Sequence, residues 1–182
     1  MTYPAIGIIE VNSVARGVVI CDVMVKKTPV EVVTSQPICP GKFIVIIAGE
    51  VAQVTDSIEV GAHYGGHMLV DSLVIQNIHP QVIPALRGTT RVDDIGAVGI
   101  IETFSVTSCV LAADASCKAA NIQLMELRLG TGLGGKAFLT LTGELHEVEA
   151  AIEGGIRAID SGLLVHHEII PAPHIDTSRT LA

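Results

Sequence analysis

The chain has 182 residues, 11 basic and 19 acidic, for a formal net charge of −8; this is room for one large domain or two of about 90 residues. Apolar residues make up 49% but aromatics only 3%, without Trp, and the mean hydropathy of +0.55 fits thin α/β units that bury a further surface against identical neighbours. The basic residues form no stripe, which argues against a nucleic-acid partner; the longest apolar runs, such as Phe43 to Ala48, fall far short of the roughly 20 residues of a membrane span; and Met1-Thr2-Tyr3-Pro4 has no basic or long apolar leader segment, so export is not expected.

In chain order, Ala5 to Val11 is an apolar run of strand length. Ser13 is a good N-cap for a helix over 14–27. The β-branched stretch 30–35 reads as a strand, followed by a Pro/Gly loop from Gln36 to Gly41. Residues 42–48 read as a strand. A helix over about 50–68 carries Val51, Val54 and Ile58 at helical spacing, and 73–78 is a last strand. The polar stretch Gly88 to Asp94 reads as a linker.

The series then begins again. Ala5-Ile-Gly-Ile-Ile-Glu10 recurs as Ala97-Val-Gly-Ile-Ile-Glu102, an offset of 92 residues. Ser13 matches Ser105, Asp22 matches Asp114 and Lys26 matches Lys118. After the next strand the offset is 94: Gly41-Lys42 matches Gly135-Lys136 and Gly49-Glu50 matches Gly143-Glu144. The second copy therefore has two extra residues in the intervening loop. Pro80 is matched to Pro171, and 171–182 reads as a polar, irregular tail. A match that includes Gly and charged positions marks a tandem duplication, with a first domain over 4–90 and a second over 95–182. Each copy reads β-α-β-β-α-β, the split βαβ, ferredoxin-like α+β arrangement, an antiparallel sheet with two helices on one face.

Several of these spaced motifs resemble the shell domain of bacterial microcompartments (BMC). They are Ala-x-Gly-x-Ile-Glu at a copy start, Asp-x-x-x-Lys late in the first helix, the Gly-Lys strand start, and Ile170-Pro171-Ala172-Pro173-His174 at a copy end. Two copies in one chain resemble the family's tandem-domain trimeric class. The resemblance implies a homotrimer whose six domains form a pseudo-hexameric tile in the shell of a cytoplasmic microcompartment, meeting other shell proteins edge to edge. Lys26 and Lys118 match the family's edge lysines. His79 and His174, beside prolines near the copy ends, are assigned to edges as well. The resemblance also implies that the loops after the second strand line a central pore. These are Gln36, Pro37, Ile38, Cys39, Pro40 and Gly41 in one copy, and Gly130, Thr131, Gly132, Leu133, Gly134 and Gly135 in the other. Ala172 departs from the family's usual Arg between the two prolines, so one edge contact is weaker or different here.

Ile38-Cys39-Pro40-Gly41-Lys42-Phe43 and Met68-Leu-Val-Asp-Ser-Leu-Val74 followed by Asn77-Ile-His-Pro80 are similar to an iron–sulfur-binding subclass found in propanediol-utilising microcompartments. In that subclass the loop cysteine of three chains holds one [4Fe-4S] cluster in the pore, and Cys39 occupies its position. The chemistry is compatible: clusters are held by thiolates, and a three-fold axis turns one thiol into three. Prolines 37 and 40 stiffen the loop. The alternative is a plain pore-lining cysteine. The other cysteines, Cys21, Cys109 and Cys117, fall in the first helix of their copies and read as small buried hydrophobes.

Other signals are weaker than they look. Gly130 to Lys136 nearly spells a phosphate-binding loop, but Ala137 replaces the metal-binding hydroxyl, and residues 138–142 alternate like a strand where that motif needs a helix. His63 and His67 are four apart, but Gly65-Gly66 between them weakens any shared helix. His166 and His167, adjacent on a strand, face opposite ways. Glu10 and Glu102, repeated at the end of the first strand, read as structural. No catalytic constellation is evident, so the chain is read as no enzyme. It is a shell tile with a redox-capable pore that passes electrons, with enclosed redox enzymes as potential partners. The alternatives are a plain tile whose pore conducts metabolites, a soluble trimeric redox carrier, and an enzyme on the same scaffold.

Overall fold

The computed structural model describes residues 3–92 and 94–181. The chain divides into two compact units, one ending at Ile78 and one starting at His79.

The first unit runs β1 (Ala5–Val11), α1 (Val14–Lys27), β2 (Glu31–Ile38), β3 (Lys42–Gly49), α2 (Val51–Gly65), a 3-10 turn at Gly66–Met68, and β4 (Leu69–Gln76). Its four strands lie in the order β2-β3-β1-β4, all neighbours antiparallel. Ser13 caps α1, its Oγ accepting from the Arg16 N–H at 3.2 Å, and Lys26 and Lys27 sit in the last turn, where cations complement the helix dipole. Ala5, Ile9 and Val11 of β1 meet Phe43, Val45 and Ile47 of β3, Ile20 and Met24 of α1, and Val54 and Ile58 of α2 in one core. The alternate residues of the sheet, Ile6, Ile8, Ile44 and Ile46, are also fully buried.

The second unit opens with a short helix, α3 (Val82–Leu86), and repeats the series: β5 (Ala97–Thr103), α4 (Val106–Ala119), β6 (Gln123–Leu129), β7 (Ala137–Gly143), α5 (Leu145–Arg157) and β8 (Leu164–Ile170), closing with α6 (Ile175–Leu181). The strand order β6-β7-β5-β8 is the same. The duplication extends to irregularities. The β2–β3 register shifts between Val32 and Thr34 and the β6–β7 register between Leu124 and Glu126; β1 and β5 shift against β4 and β8 at Glu10/Val11 and Glu102/Thr103. Gly7 and Gly99 are equivalent, and each lets a helix close on the sheet: a Cβ there would lie 2.5 Å from Ile58 and 2.8 Å from Ile152. Two ferredoxin-like β-α-β-β-α-β domains in tandem are thus the observed fold.

Several expectations from the sequence are corrected. Residues 175–181 are helical where an irregular tail was expected. The last strand of the first copy is 69–76, not 73–78, and its preceding helix ends at Gly65. Residues 79–90, the end of the first copy in the repeat, pack with the second compact unit. They contribute α3, whose Val82, Ile83 and Ala85 are buried; only a fold shows that these few apolar residues find a surface. The match of Pro80 to Pro171 also shifts. Ile6 pairs with Ile75 and its equivalent Val98 pairs with Ile170, so the equivalents at the copy ends are His79 and His174.

Candidate functional site: the strand-turn that carries Cys39

The loop expected over Gln36 to Gly41 narrows to three residues. Gln36, Pro37 and Ile38 pair with Ile44, Phe43 and Lys42 as the end of β2. Cys39, Pro40 and Gly41 make the turn into β3, with a cis Cys39–Pro40 peptide bond. Ile38 is 4% exposed and belongs to the core of its unit. Gln36, Pro37, Pro40 and Gly41 are exposed, and Cys39 is half-buried. The turn is closed by the Gly41 N–H donating to the Ile38 carbonyl at 3.0 Å, and Gly41 takes the left-handed region with φ 91°, a conformation that costs a glycine little.

The turn is anchored at its exit. Lys42, the first residue of β3, pairs with Glu10 of β1. The Glu10 side chain is only 2% exposed, so it depends on this partner. In the second copy Lys136 and Glu102 repeat the pair, nearer to solvent. The repeated Gly-Lys and the repeated Glu of the sequence are therefore the two halves of one ion pair.

The equivalent turn of the second copy runs from Gly130 to Lys136. The Gly130 N–H donates to the Lys136 carbonyl at 3.1 Å, and the Lys136 N–H donates to the Leu133 carbonyl at 3.2 Å. Gly130, Gly132, Gly134 and Gly135 all have positive φ. Gly130 and Gly135 are buried; Thr131, Gly132 and Gly134 are exposed and Leu133 is half-buried. Residues 137–143 continue as strand β7, as expected, so the phosphate-loop likeness has no helix to complete it.

The thiols divide by environment. Cys109 and Cys117 of α4 are buried, and burial pushes both thiols up to about 12, at Cys109 against a partly offsetting hydrogen bond with the Thr103 side chain. Such thiols are inert. Cys21 is half-buried, which corrects the expectation of a buried residue. Among the described residues, no group of three or more His, Cys, Asp or Glu side chains gathers where it could hold a metal ion. One chain thus offers Cys39 alone at its turn, and a cluster would need the same thiol from further chains.

The residues assigned to edges sit differently from one another. Lys26 is exposed and pairs with Asp22 at 2.6 Å; Lys118 pairs with the buried Asp114 at 2.5 Å. His79 is half-buried, its backbone N–H donating to Asp114 Oδ1 at 2.8 Å. The His174 side chain is exposed. His63 lies in α2 and His67 in the following turn, and His166 pairs with Glu168 at 2.9 Å. None of these is gathered around Cys39 in a metal-holding group. Sequence reasoning missed the role of α3. The signal was present only as three small apolar residues among prolines.

Among the described residues no helix is long and apolar enough to cross a membrane. Comparison with known proteins agrees with the architecture. The BMC domain matches residues 5–78 and 97–173. The chain is 43% identical over 171 residues to the bacterial microcompartment shell protein PduT of Citrobacter freundii, covering 93% of both chains. It is similar to the crystal structure of a microcompartments protein from Desulfitobacterium hafniense DCB, with a TM-score of 0.92 and 43% identity over 96% of this chain and 98% of that one. A fused permuted hexameric shell protein from the RMM microcompartment shares the fold at a TM-score of 0.62 and 19% identity, over 84% and 82% of the two chains. The chain belongs to the BMC domain family, with two copies of the domain in tandem.

Proposed function

We propose that the chain is a structural tile of a microcompartment shell, not an enzyme: three chains join six domains around a pore and meet other shell proteins at their edges. The observation that carries this reading is a difference between equivalent helices. In α4, Val106 and Val110 are fully buried and Cys117 is 6% exposed. The same positions of α1 are Val14, Val18 and Val25, exposed by 42%, 56% and 39%. An apolar stripe that one copy buries and the other leaves open is the mark of a head-to-tail interface, which closes into a ring or continues into a filament. The family resemblance and the likeness to a named shell protein support the ring and the cytoplasmic shell.

The finer reading is that Cys39 of each of three chains holds one [4Fe-4S] cluster in the pore. The half-buried thiol, the short stiff turn and the ion pair at its exit support it. Three thiolates would leave one iron for water or a small ligand. When bound, the cluster would supply one-electron redox chemistry, and hence electron passage across the shell to enclosed redox enzymes. The chain's own part is to fix the thiol: Pro37 and Pro40 restrict the backbone and Lys42 ties the turn to β1.

The test is anaerobic purification with sedimentation, absorbance, and iron and sulfide assay, run beside Cys39→Ser. A trimer with roughly four irons per three chains, absorbing broadly in the visible and colourless in the variant, supports both parts. A trimer that stays iron-free after anaerobic reconstitution leaves a plain tile whose pore conducts metabolites. A discrete trimer that never forms sheets at high concentration, alone or with other shell proteins, favours a soluble carrier. A monomer removes the tile reading.

A further inference from the structure

In the second unit the chain turns back after α3 and is pinned on both sides. Gly88 takes the left-handed region with φ 61°, and its N–H donates to the Ala85 carbonyl at 3.2 Å. The Thr89 N–H and Oγ1 both donate to the Pro84 carbonyl, at 3.0 and 3.2 Å. The Gln123 side-chain amide, at the start of β6, donates to the Arg91 carbonyl. The start of α3 is fixed as well: the Gln81 side chain donates to the Ile122 carbonyl at 2.8 Å and accepts from the Leu124 N–H at 2.7 Å. Between these anchors lies a cleft of about 500 Å³ whose walls include Pro80, Pro84, Thr90 and Arg91.

The walls are apolar on one side and carry two unengaged polar groups on the other. Pro80, Pro84 and the stem of Gln81 give apolar surface, since both ends of the Gln81 amide are already bonded. Arg91 is exposed, and among the described residues its guanidinium pairs with no carboxylate. The Thr90 Oγ1 is buried and has no hydrogen-bond partner among the described residues, although Thr90 as a whole is only half-buried. A hydroxyl held this way has lost its hydration without a bond in return. Rotation about χ1 to another staggered position breaks no hydrogen bond there, and it can turn the hydroxyl toward the cleft.

These groups select a class of ligand. An arginine fork binds a planar carboxylate through two parallel N–H···O bonds, and a hydroxyl adds a third donor. One cation matches one negative charge; no Lys or His lines the cleft to match the second charge of a phosphate ester. The proline rings favour a hydrocarbon body over a second polar group. The volume lies in the range of small-molecule clefts and is more than a bare anion fills.

We infer that this cleft binds a small organic monocarboxylate, with its head group on Arg91 and Thr90 and its hydrocarbon body against Pro80 and Pro84. Binding gives the Thr90 hydroxyl the partner it lacks in the free chain. All four residues belong to one unit of one chain, so the site stands apart from the Cys39 turn and does not depend on the tile or cluster readings.

The test titrates hexanoate into the full chain and reads binding by saturation-transfer NMR, with hexan-1-ol and inorganic phosphate as controls. Hexanoate is expected to bind with a Kd on the order of a millimolar, and each control at least about tenfold more weakly. Arg91→Gln, on an exposed side chain, is expected to weaken hexanoate about tenfold. Thr90→Val, nearly isosteric, is expected to weaken it several-fold without lowering the urea midpoint of the ligand-free protein, because the hydroxyl makes no bond there. No transfer to hexanoate, equal binding to Arg91→Gln and the unaltered chain, hexan-1-ol binding as well as hexanoate, or phosphate binding in preference would each overturn the site. A Thr90→Val protein that binds hexanoate undiminished would remove the hydroxyl from it.

Discussion

Glu10 on β1 and Lys42 at the start of β3 form an ion pair that ties the Cys39 turn to the centre of the first sheet. Glu10 is almost fully buried, whereas its counterpart Glu102 keeps a third of its side chain exposed.

The two pairs are therefore expected to differ in worth. Lys42→Met strands a buried carboxylate and is expected to cost about 3–5 kcal/mol. Lys136→Met opens a pair nearer solvent and is expected to cost no more than about 1 kcal/mol. Urea denaturation of the two variants measures this, and equal losses would show that burial of Glu10 does not set the energy.

The α1 stripe separates folding from assembly. Val18→Glu places a charge on an exposed position and is expected to leave thermal stability within about 0.5 kcal/mol while abolishing self-association in sedimentation. Val110→Glu puts the same charge at the fully buried equivalent and is expected to prevent folding. A Val18→Glu protein that still assembles would locate the interface elsewhere.

Buried thiols give a pH dependence with a definite sign. Cys109 and Cys117 are raised to about 12 from an ordinary value of 9.0. The folded state holds these protons where the unfolded state releases them. Stability is thus fully present below pH 9 and is lost from there toward pH 12, by about 1.4 kcal/mol per pH unit for each thiol. Denaturation midpoints at pH 8, 9 and 10 test this; Cys109→Ala should flatten the slope above pH 9, whatever it does to stability at pH 8. In native protein at pH 8 a thiol reagent should label Cys39 and leave Cys109 and Cys117 unmodified until the chain is unfolded.

Gly7 is a packing requirement. Gly7→Ala forces Ile58 and Val54 away from a new Cβ at 2.5–2.8 Å and is expected to lower stability by about 1–3 kcal/mol, read from urea titration. A neutral result would mean that α2 can lift off β1 without loss.

Much of this was legible in the residues. The repeated strand opening from Ala5 and Ala97, the paired Ser13 and Ser105 caps and the β-α-β-β-α-β order follow from local patterns, because period, capping and turn chemistry act over a few residues. Cys39 and the Gly-Lys step were visible as a motif. The reason for the motif was not, since the partner of Lys42 lies 32 residues away in sequence and only the antiparallel pairing of β1 with β3 brings it there.

What the sequence determined by itself, then, was the duplicated domain and the elements inside each copy, where neighbours along the chain dictate the backbone. Tertiary structure decided the rest. It packed residues 79–90 with the second unit, because Gln81 and α3 find backbone groups and apolar surface on β6 that no linear pattern reveals. It also distinguished Val18 from Val110 and Asp22 from Asp114, matched positions that differ only in what surrounds them. Burial is a property of packing, so two copies with near-identical local patterns can carry opposite surfaces.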